Sequence, residues 1–275
     1  MSDFTNLREH TKNMRKNIIK MVTAAGCGHP GGSLSAVEAV AAMYFTQMDI
    51  KQENLESTNR DRFVLSKGHA SPLLYAVLAE KGFVSEEELL TLRKLGSRLQ
   101  GHPCMGRLPG IDMSTGSLGQ GISAAVGMAL SNKYHDLPYR IYTLLGDGEC
   151  EEGEVWEAAM AAAHYKLDNL LAVVDFNGLQ IDGAITDVMN PTPIDEKFKA
   201  FGWHVITLTD GNDIESVVQA MEEAKTVSGK PTVIVAKTVK GKGVSFMENK
   251  ASWHGVAPSA EQCAEALKEL EGGNN

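Results

Sequence analysis

The stretch IYTLLGDGECEEGEVWEAAMAAAHYKLDNLLAVVDFNG, residues 141–178, decides the fold of this chain. It begins with an apolar run, continues with an alanine-rich segment and ends with a second apolar run. Apolar runs without polar alternation, separated by a helix, are typical of parallel strands that are covered on both faces. The stretch therefore predicts strands over 141–147 and 170–176 and a helix over 154–165, joined as one β–α–β crossover.

Similar patterns extend outward from this unit. The remaining predicted strands cover residues 63–66, 203–209 and 232–239. The remaining predicted helices cover 6–25, 33–45, 117–134 and 213–227. Three further helices are predicted from their caps: one with Ser71 as N-cap and Pro72 in the first turn, one with a capping box of Ser85 and Glu88, and one capped by Ser259 and Gln262. An irregular loop is expected over 96–116. These elements predict a doubly wound α/β fold, a mostly parallel sheet with helices on both faces.

The chain shows no internal repeat and no linker-like segment, so residues 1–275 are expected to form a single domain with a frayed GGNN end. A net charge of −9 argues against a nucleic-acid surface. No apolar stretch is long enough to span a bilayer, and the first twenty residues are too charged for a secretory signal. Four widely spaced cysteines suit a reducing compartment, so we expect a cytoplasmic location.

Two oxygen-bearing side chains follow the strands of the central crossover. Asp147 ends the first strand between two glycines, and Asn177 ends the second strand thirty residues later. Both then lie at the same edge of the sheet, where ligands bind in such folds. Each residue alone is also a common turn residue. Only the pair at this spacing indicates a Mg²⁺ or Ca²⁺ site next to a phosphate group. Glu149, Glu151 and Glu154 are expected to be solvated acids at the start of the following helix.

Four histidines lie directly beside a glycine in predicted loops, namely His29, His69, His102 and His254. Loops at the ends of elements are where catalytic groups concentrate, although any one of these histidines could be structural. The segment GCGHPG at 26–31 matches the dinucleotide-binding pattern in form. It follows a helix rather than a strand, so a nicotinamide site is rejected.

Five stretches of the chain together carry a family resemblance. The segment from GDG at 146–148 to Asn177 resembles the thiamine diphosphate motif. Four further segments resemble transketolase in particular among the thiamine diphosphate enzymes. They are GHPGGSLS, SKGHASPLLYAVLAEKG, GHPCMGRLPGIDMSTGSLGQGISAAVGMA and KTVKGKGVSFMENKASWHG. The order and spacing of these segments over residues 5–258 resemble the N-terminal half of a transketolase. The resemblance implies thiamine diphosphate and Mg²⁺ as cofactors, with Ca²⁺ or Mn²⁺ as possible substitutes, and ketol transfer between sugar phosphates of the pentose phosphate pathway.

The resemblance also implies roles for individual residues. The implied metal ligands are Asp147, Asn177 and the backbone carbonyl of Leu179. The implied cofactor-binding residues are His69, Gly116, Ser117, Leu118, Gly148, Asn177, Lys240 and His254. The implied catalytic residues are His29, His102 and His254, which would face the substrate, and Glu152 and Glu157 at an interface that links two active sites. Gly32 departs from the family, because some members have a serine there that lies near the substrate.

The resemblance covers less than half of a full-length transketolase, whose second half carries a pyrimidine-binding domain and a C-terminal domain. It implies an N-terminal subunit that is inactive alone and works with a C-terminal partner subunit, in an assembly of two copies of each. Three alternatives stay open: the alpha chain of a 2-oxo-acid dehydrogenase, a fragment similar to deoxyxylulose phosphate synthase, and a non-catalytic regulatory subunit.

Overall fold

The computed structural model describes residues 4–273 of the chain, with a five-stranded sheet at the centre of this part. The strands of the sheet are β1 (Arg62–Leu65), β2 (Ile141–Gly146), β3 (Leu170–Phe176), β6 (His204–Leu208) and β7 (Thr232–Lys237). The order is β1-β2-β3-β7-β6, and all neighbours are parallel. A small antiparallel hairpin consists of β4 (Leu179–Gln180) and β5 (Gly183–Ala184). The predicted strands are confirmed to within two residues at each end.

Helices lie on both faces of the sheet. The bounds are α1 (Thr5–Ala25), α2 (Pro30–Leu34), α3 (Val37–Ala42), α4 (Ser71–Glu80), α5 (Glu86–Leu89), α6 (Gln120–Tyr134), α7 (Gly153–His164), α8 (Ile185–Val188), α9 (Ile194–Ala200), α10 (Ile214–Thr226) and α11 (Ala260–Gly272). Successive side chains of a strand point to opposite faces. In β3, Leu171 and Val173 accordingly join a core with α1, α3, α4 and α10, while Ala172 and Val174 join a second core with α6, α7 and α9.

Burial explains why the central strands were recognisable from sequence. All six residues of β2 and six of the seven residues of β3 are buried. Burying one such Leu, Ile or Val side chain contributes about 1.5–3 kcal/mol to the free energy of unfolding. The doubly wound α/β prediction is confirmed. Within residues 4–273, none of the helices has the length and apolar character that crossing a membrane requires.

Two helix predictions are wrong in detail. The predicted helix over 33–45 is divided into α2 and α3, followed by a π-helical turn over Met43–Gln47. The break falls at Ser35 and Ala36, and the Ser35 hydroxyl there donates a hydrogen bond to the buried Asp175. Ser71 is the first residue of α4 and not its N-cap, because a 3₁₀ turn over Gly68–Ala70 leads straight into the helix.

The other predicted helix starts agree more closely with the structure. Ser85 caps α5 by accepting from the Glu88 N–H, while the Glu88 carboxylate binds Arg98. Ser259 and Gln262 form the predicted capping box of α11. Helix α6 starts at Gln120 rather than at residue 117. Of the GGNN tail, residues 274 and 275 lie outside the described part of the chain, so its predicted fraying stays a prediction.

Candidate active site at the carboxyl ends of the strands

The ends of four adjacent strands place polar side chains at one edge of the sheet. Lys67 follows β1, Asp147 follows β2, Asn177 follows β3 and Lys240 follows β7. The register aligns Gly146 with Asp175 across β2 and β3, so these strands end side by side. The chain segments after them enclose a cavity of about 110 Å³. This is the edge at which the sequence predicted a ligand site.

Asp147 is the carboxylate at the centre of this edge. Its residue is 2% exposed, Oδ1 accepts from the Gly148 N–H at 2.8 Å, and Oδ2 accepts from the Gly178 N–H at 2.5 Å. Burial, and next the negative charge of Asp175, raise the pKa of Asp147 to about 6. A buried carboxylate whose charged form is disfavoured in this way would be stabilised by a nearby cation.

Asn177 and Leu179 add two further oxygen atoms. Gly178, with φ of 79°, turns the backbone between them in a conformation that favours glycine. Asn177 Oδ1 accepts from the Leu179 N–H at 3.1 Å, and the Leu179 carbonyl accepts from Lys240 Nζ at 3.1 Å. A carbonyl oxygen has two lone pairs, so one remains for another partner. A carboxylate, an amide and a carbonyl oxygen are the donor set that Mg²⁺ and Ca²⁺ prefer.

No group of three His, Cys, Asp or Glu side chains with metal-binding potential occurs within residues 4–273. The set of three oxygen donors contains only one such side chain, Asp147. The remaining ligands of a divalent ion would therefore come from the amide, the backbone and a bound anion, as is usual for Mg²⁺ on phosphate groups. The residues present fit a divalent cation that is shared with a diphosphate.

Two buried lysines make the cavity suitable for an anion. Lys67 is 1% exposed and pairs with Asp175 at 2.5 Å, and Lys240 is 2% exposed. Burial, and next the positive charge of Lys67, lower the pKa of Lys240 to about 8. An anion in the cavity would offset this repulsion between two buried ammonium groups. Lys240 was predicted from sequence, whereas Lys67 was missed although it lies in the segment SKGH at the end of a strand.

Most predicted cofactor residues lie together around this cavity. Its lining includes His69, Leu118, Asp147, Gly148, Asn177, Leu179, Lys240 and His254. Gly116 lies beside them, and a Cβ atom built there would be 3.1 Å from the His102 ring. Ser117 connects Gly116 to Leu118 in the loop before α6. Gly32 also faces the cavity, 3.5 Å from His69 Nε2 when a Cβ atom is added, so no serine hydroxyl is present at this point.

Three of the four predicted histidines form one cluster. The ring centroids of His29, His69 and His254 lie 5.2–5.3 Å from each other. Burial is the first cause that lowers their pKa values, to about 4 for His29, to about 3 for His254 and well below the ordinary value for His69. These imidazoles are therefore neutral near pH 7, and each can donate one hydrogen bond and accept another.

The proton position on His254 follows from its neighbour. Lys240 Nζ lies 3.1 Å from His254 Nδ1. An ammonium group only donates, so Nδ1 accepts and the ring proton resides on Nε2. His102 lies against Gly116, next to the exposed Arg93, which was also missed from sequence. Burial, and next the charge of Arg93, lower the pKa of His102.

The acidic residues after Asp147 divide into three groups by burial. Glu152 and Glu157 are exposed, and they do not line the cavity. Glu149 was expected to be a solvated acid at a helix start, and this prediction is wrong. It is 2% exposed and accepts hydrogen bonds from Ser66 Oγ and from the N–H groups of Gly119 and Gly146. Glu151 and Glu154, expected to be solvated in the same way, are half-buried.

Known proteins share this fold and sequence over nearly the whole chain. The family "Transketolase, thiamine diphosphate binding domain" matches residues 8–274. The 6-deoxy-6-sulfo-D-fructose transketolase subunit SqwG of Clostridium sp. (strain MSTE9) is 48% identical over 96% of both chains. One subunit of the apulose-4-phosphate transketolase of Phocaeicola vulgatus is 43% identical over 93% of this chain and 90% of that protein.

Full-length transketolases match over part of their length. The crystal structure of transketolase from Campylobacter jejuni superposes with a TM-score of 0.92 and 33% identity, covering 98% of this chain and 43% of the other. Human transketolase is 44% identical, and the chain covers 42% of its length. The chain thus spans about two fifths of these full-length relatives and nearly all of the two bacterial subunits.

Proposed function

This chain belongs to the transketolase family as its N-terminal, thiamine diphosphate-binding subunit, and we propose that its strand-end cavity holds the diphosphate through a divalent cation. The observation that carries the proposal is the convergence of Asp147, Asn177 and two buried lysines at adjacent strand ends. The assembled enzyme moves a two-carbon ketol unit from a ketose to an aldose. The family and the two bacterial relatives disfavour a 2-oxo-acid dehydrogenase chain.

In this proposal Asp147, Asn177 Oδ1 and the Leu179 carbonyl bind Mg²⁺, for which Ca²⁺ or Mn²⁺ can substitute. The raised pKa of Asp147 supports this, since a cation beside the carboxylate would favour its charged form. Lys240, His69 and the backbone of Gly148 would bind the diphosphate. The remaining cofactor residues would be Asn177 and His254 at the diphosphate side and Gly116, Ser117 and Leu118 around the thiamine rings.

When bound, the cofactor supplies a carbanion-stabilising electron sink. The histidines would donate protons to, or accept protons from, the sugar hydroxyls near the cofactor. His254 presents an N–H at Nε2, so it would donate to a substrate oxygen. His29 and His102 are neutral imidazoles, and each can accept a proton through its free ring nitrogen. Their lowered pKa values keep these imidazoles uncharged beside the cofactor near pH 7, where each can serve as a hydrogen-bond donor and acceptor.

A partner chain completes the proposed enzyme. We propose that residues 1–275 form one domain, that the pyrimidine-binding and C-terminal domains belong to a separate chain, and that two copies of each assemble in the cytoplasm. The exposed Glu152 and Glu157 would lie at the interface between the chains. The two bacterial relatives are named for a sulfofructose and for apulose 4-phosphate. We therefore propose that the substrates are sugars that carry an anionic group, with sugar phosphates as the preferred class.

The decisive experiment measures binding before activity. The chain is co-purified with its C-terminal partner, and thiamine diphosphate binding is titrated with and without Mg²⁺. Wild type should require the metal. Asp147→Ala should raise the required Mg²⁺ concentration by at least about 100-fold, whereas the exposed Asp187→Asn on α8 should leave it unchanged. Metal-independent binding, or equal binding by Asp147→Ala, would contradict the proposal. Ketol transfer from a panel of ketose phosphates then tests the activity.

A further inference from the structure

Asp175 is a buried carboxylate at the end of the central strand β3, and it is not one of the proposed ligands. Its side chain is fully buried. Oδ2 accepts from Ser35 Oγ at 2.6 Å, from Lys67 Nζ at 2.5 Å and from Asn177 Nδ2 at 3.0 Å. Oδ1 accepts from the hydroxyl of Thr238. Both oxygens are thus occupied by donors from the protein, which leaves Asp175 unsuited to bind the cation itself.

These contacts determine the direction of the Asn177 amide. An ionised carboxylate only accepts hydrogen bonds, so the NH₂ group of Asn177 must face Asp175. The opposite side of the same amide, Oδ1, then faces the Leu179 N–H and the cavity. An amide rotated by half a turn would place its oxygen against the carboxylate and direct two N–H dipoles at the cation. Both changes are electrostatically unfavourable in a buried site.

Lys67 balances the negative charge of the buried Asp175 carboxylate when no metal is bound. Lys67 Nζ pairs with the Asp175 carboxylate at 2.5 Å, and the hydroxyls of Ser35 and Thr238 also donate to it. The pair carries no net charge, so Asp147 supplies the negative charge that attracts a cation. The orientation of Asn177 is therefore present before any metal binds.

We propose that Asp175 is a positioning residue that holds the Asn177 amide with its oxygen toward the metal site, an inference that rests on the proposed function. Residues that hydrogen-bond to metal ligands commonly change metal affinity by 10–100-fold when they are lost. Asp175 acts through the acceptor oxygen that it offers to Asn177 Nδ2. A neutral residue with an oxygen at the same place should therefore keep much of the effect.

Three variants separate positioning from a structural role. Asp175→Ala removes the acceptor, Asp175→Asn keeps one oxygen, and Ser35→Ala removes a different buried donor from the same carboxylate. Thiamine diphosphate binding by the complex with the C-terminal partner is titrated with Mg²⁺, and melting temperatures are recorded without ligands. Asp175→Ala should need about 10–100-fold more Mg²⁺. Asp175→Asn and Ser35→Ala should stay within about threefold of wild type, even if all three variants melt at lower temperature.

A folded Asp175→Ala variant with the Mg²⁺ requirement of wild type would overturn the inference, and so would a folded Asp175→Asn variant that behaves like Asp175→Ala. The wild-type protein provides a second measurement that needs neither metal nor variant folding. With ¹⁵N-labelled asparagine, the Asn177 side-chain amide should exchange its protons with water far more slowly than that of the exposed Asn249. Equal exchange rates would also overturn the inference. Wild type that binds no cofactor, but shows protected Asn177 protons, would contradict the proposed function alone.

Discussion

The histidine cluster shows how burial determines the chemistry of single residues. His29 has a pKa of about 4, because it is buried and lies near the positive charges of Arg93 and Lys240. The unfolded chain, with ordinary histidine pKa values, binds more protons than the folded chain between pH 4 and 6.5. The contribution of this group to the free energy of unfolding is therefore complete above pH 6.5 and is lost as the pH falls toward 4.

We predict that His29 and His254 stay neutral down to pH 5.5 in the folded chain without cofactor. The imidazole ¹H and ¹⁵N shifts in an NMR titration report this directly, and assignment uses the single His→Gln variants. The ¹⁵N shifts should also show His254 protonated on Nε2, as the contact with Lys240 requires. A midpoint above pH 6 for either residue would contradict the prediction.

A second prediction at this scale concerns Arg93. Its charge is the second cause, after burial, of the lowered pKa of both His29 and His102, whereas it is not among the causes for His254. Arg93→Gln should therefore raise the pKa values of His29 and His102 and leave that of His254 unchanged. The same NMR titration measures all three. Equal movement of all three histidines would indicate a general change in the cluster instead of a local charge effect.

At the scale of elements, helix α6 contains two glycines in different surroundings. A Cβ atom at Gly121 would lie 2.5 Å from the Ser66 Cα, so the helix start packs directly on the end of β1. Nothing lies within 4 Å of the same position at Gly127. Gly121→Ala should lower the free energy of unfolding by about 1–3 kcal/mol through overpacking. Gly127→Ala should raise it by up to about 1 kcal/mol, because alanine favours the helix.

Chemical denaturation of both variants, with m-values compared, checks this pair. Gly121→Ala should in addition weaken thiamine diphosphate binding, since the loop before α6 carries Ser117 and Leu118. If Gly121→Ala were as stable as wild type, the contact between α6 and β1 would have to be looser than the structure shows.

Elements whose pattern reflects local burial were predictable from sequence, and those shaped by distant contacts were not. Strands β2, β3 and β7 are continuous apolar runs because helices cover both of their faces. The break between α2 and α3 includes Ser35, which contacts Asp175, 140 residues away in the sequence. The local sequence around Glu149 predicts a solvated acid. In the structure its carboxylate accepts hydrogen bonds from Ser66 and Gly119, and no local sequence pattern indicates these contacts.

The candidate site follows the same rule at the scale of the whole molecule. Asp147 and Asn177 were predictable as a pair, because one crossover brings both to the same edge of the sheet. Lys67 and Arg93 were not predictable from sequence. The position of Lys67 beside the cavity depends on the place of β1 in the sheet order, and the position of Arg93 beside the histidines depends on a loop with irregular backbone. Arg93 itself has φ of 61°, which no sequence signal indicates.

The exposed face of α7 provides the last prediction, which concerns assembly. Met160 is 58% exposed on the same side of the helix as Glu157, one turn away, and the helix starts beside the cavity. If the C-terminal partner covers this face, as proposed, Met160→Glu places a charge in an apolar contact. It should weaken assembly by about 10–100-fold, as loss of an interface residue worth 1.5–3 kcal/mol would. The control is Tyr134→Glu at the C-terminal end of α6, where the residue is 83% exposed. Analytical ultracentrifugation of each variant with the partner measures the effect, and normal assembly of Met160→Glu would place the partner on another face.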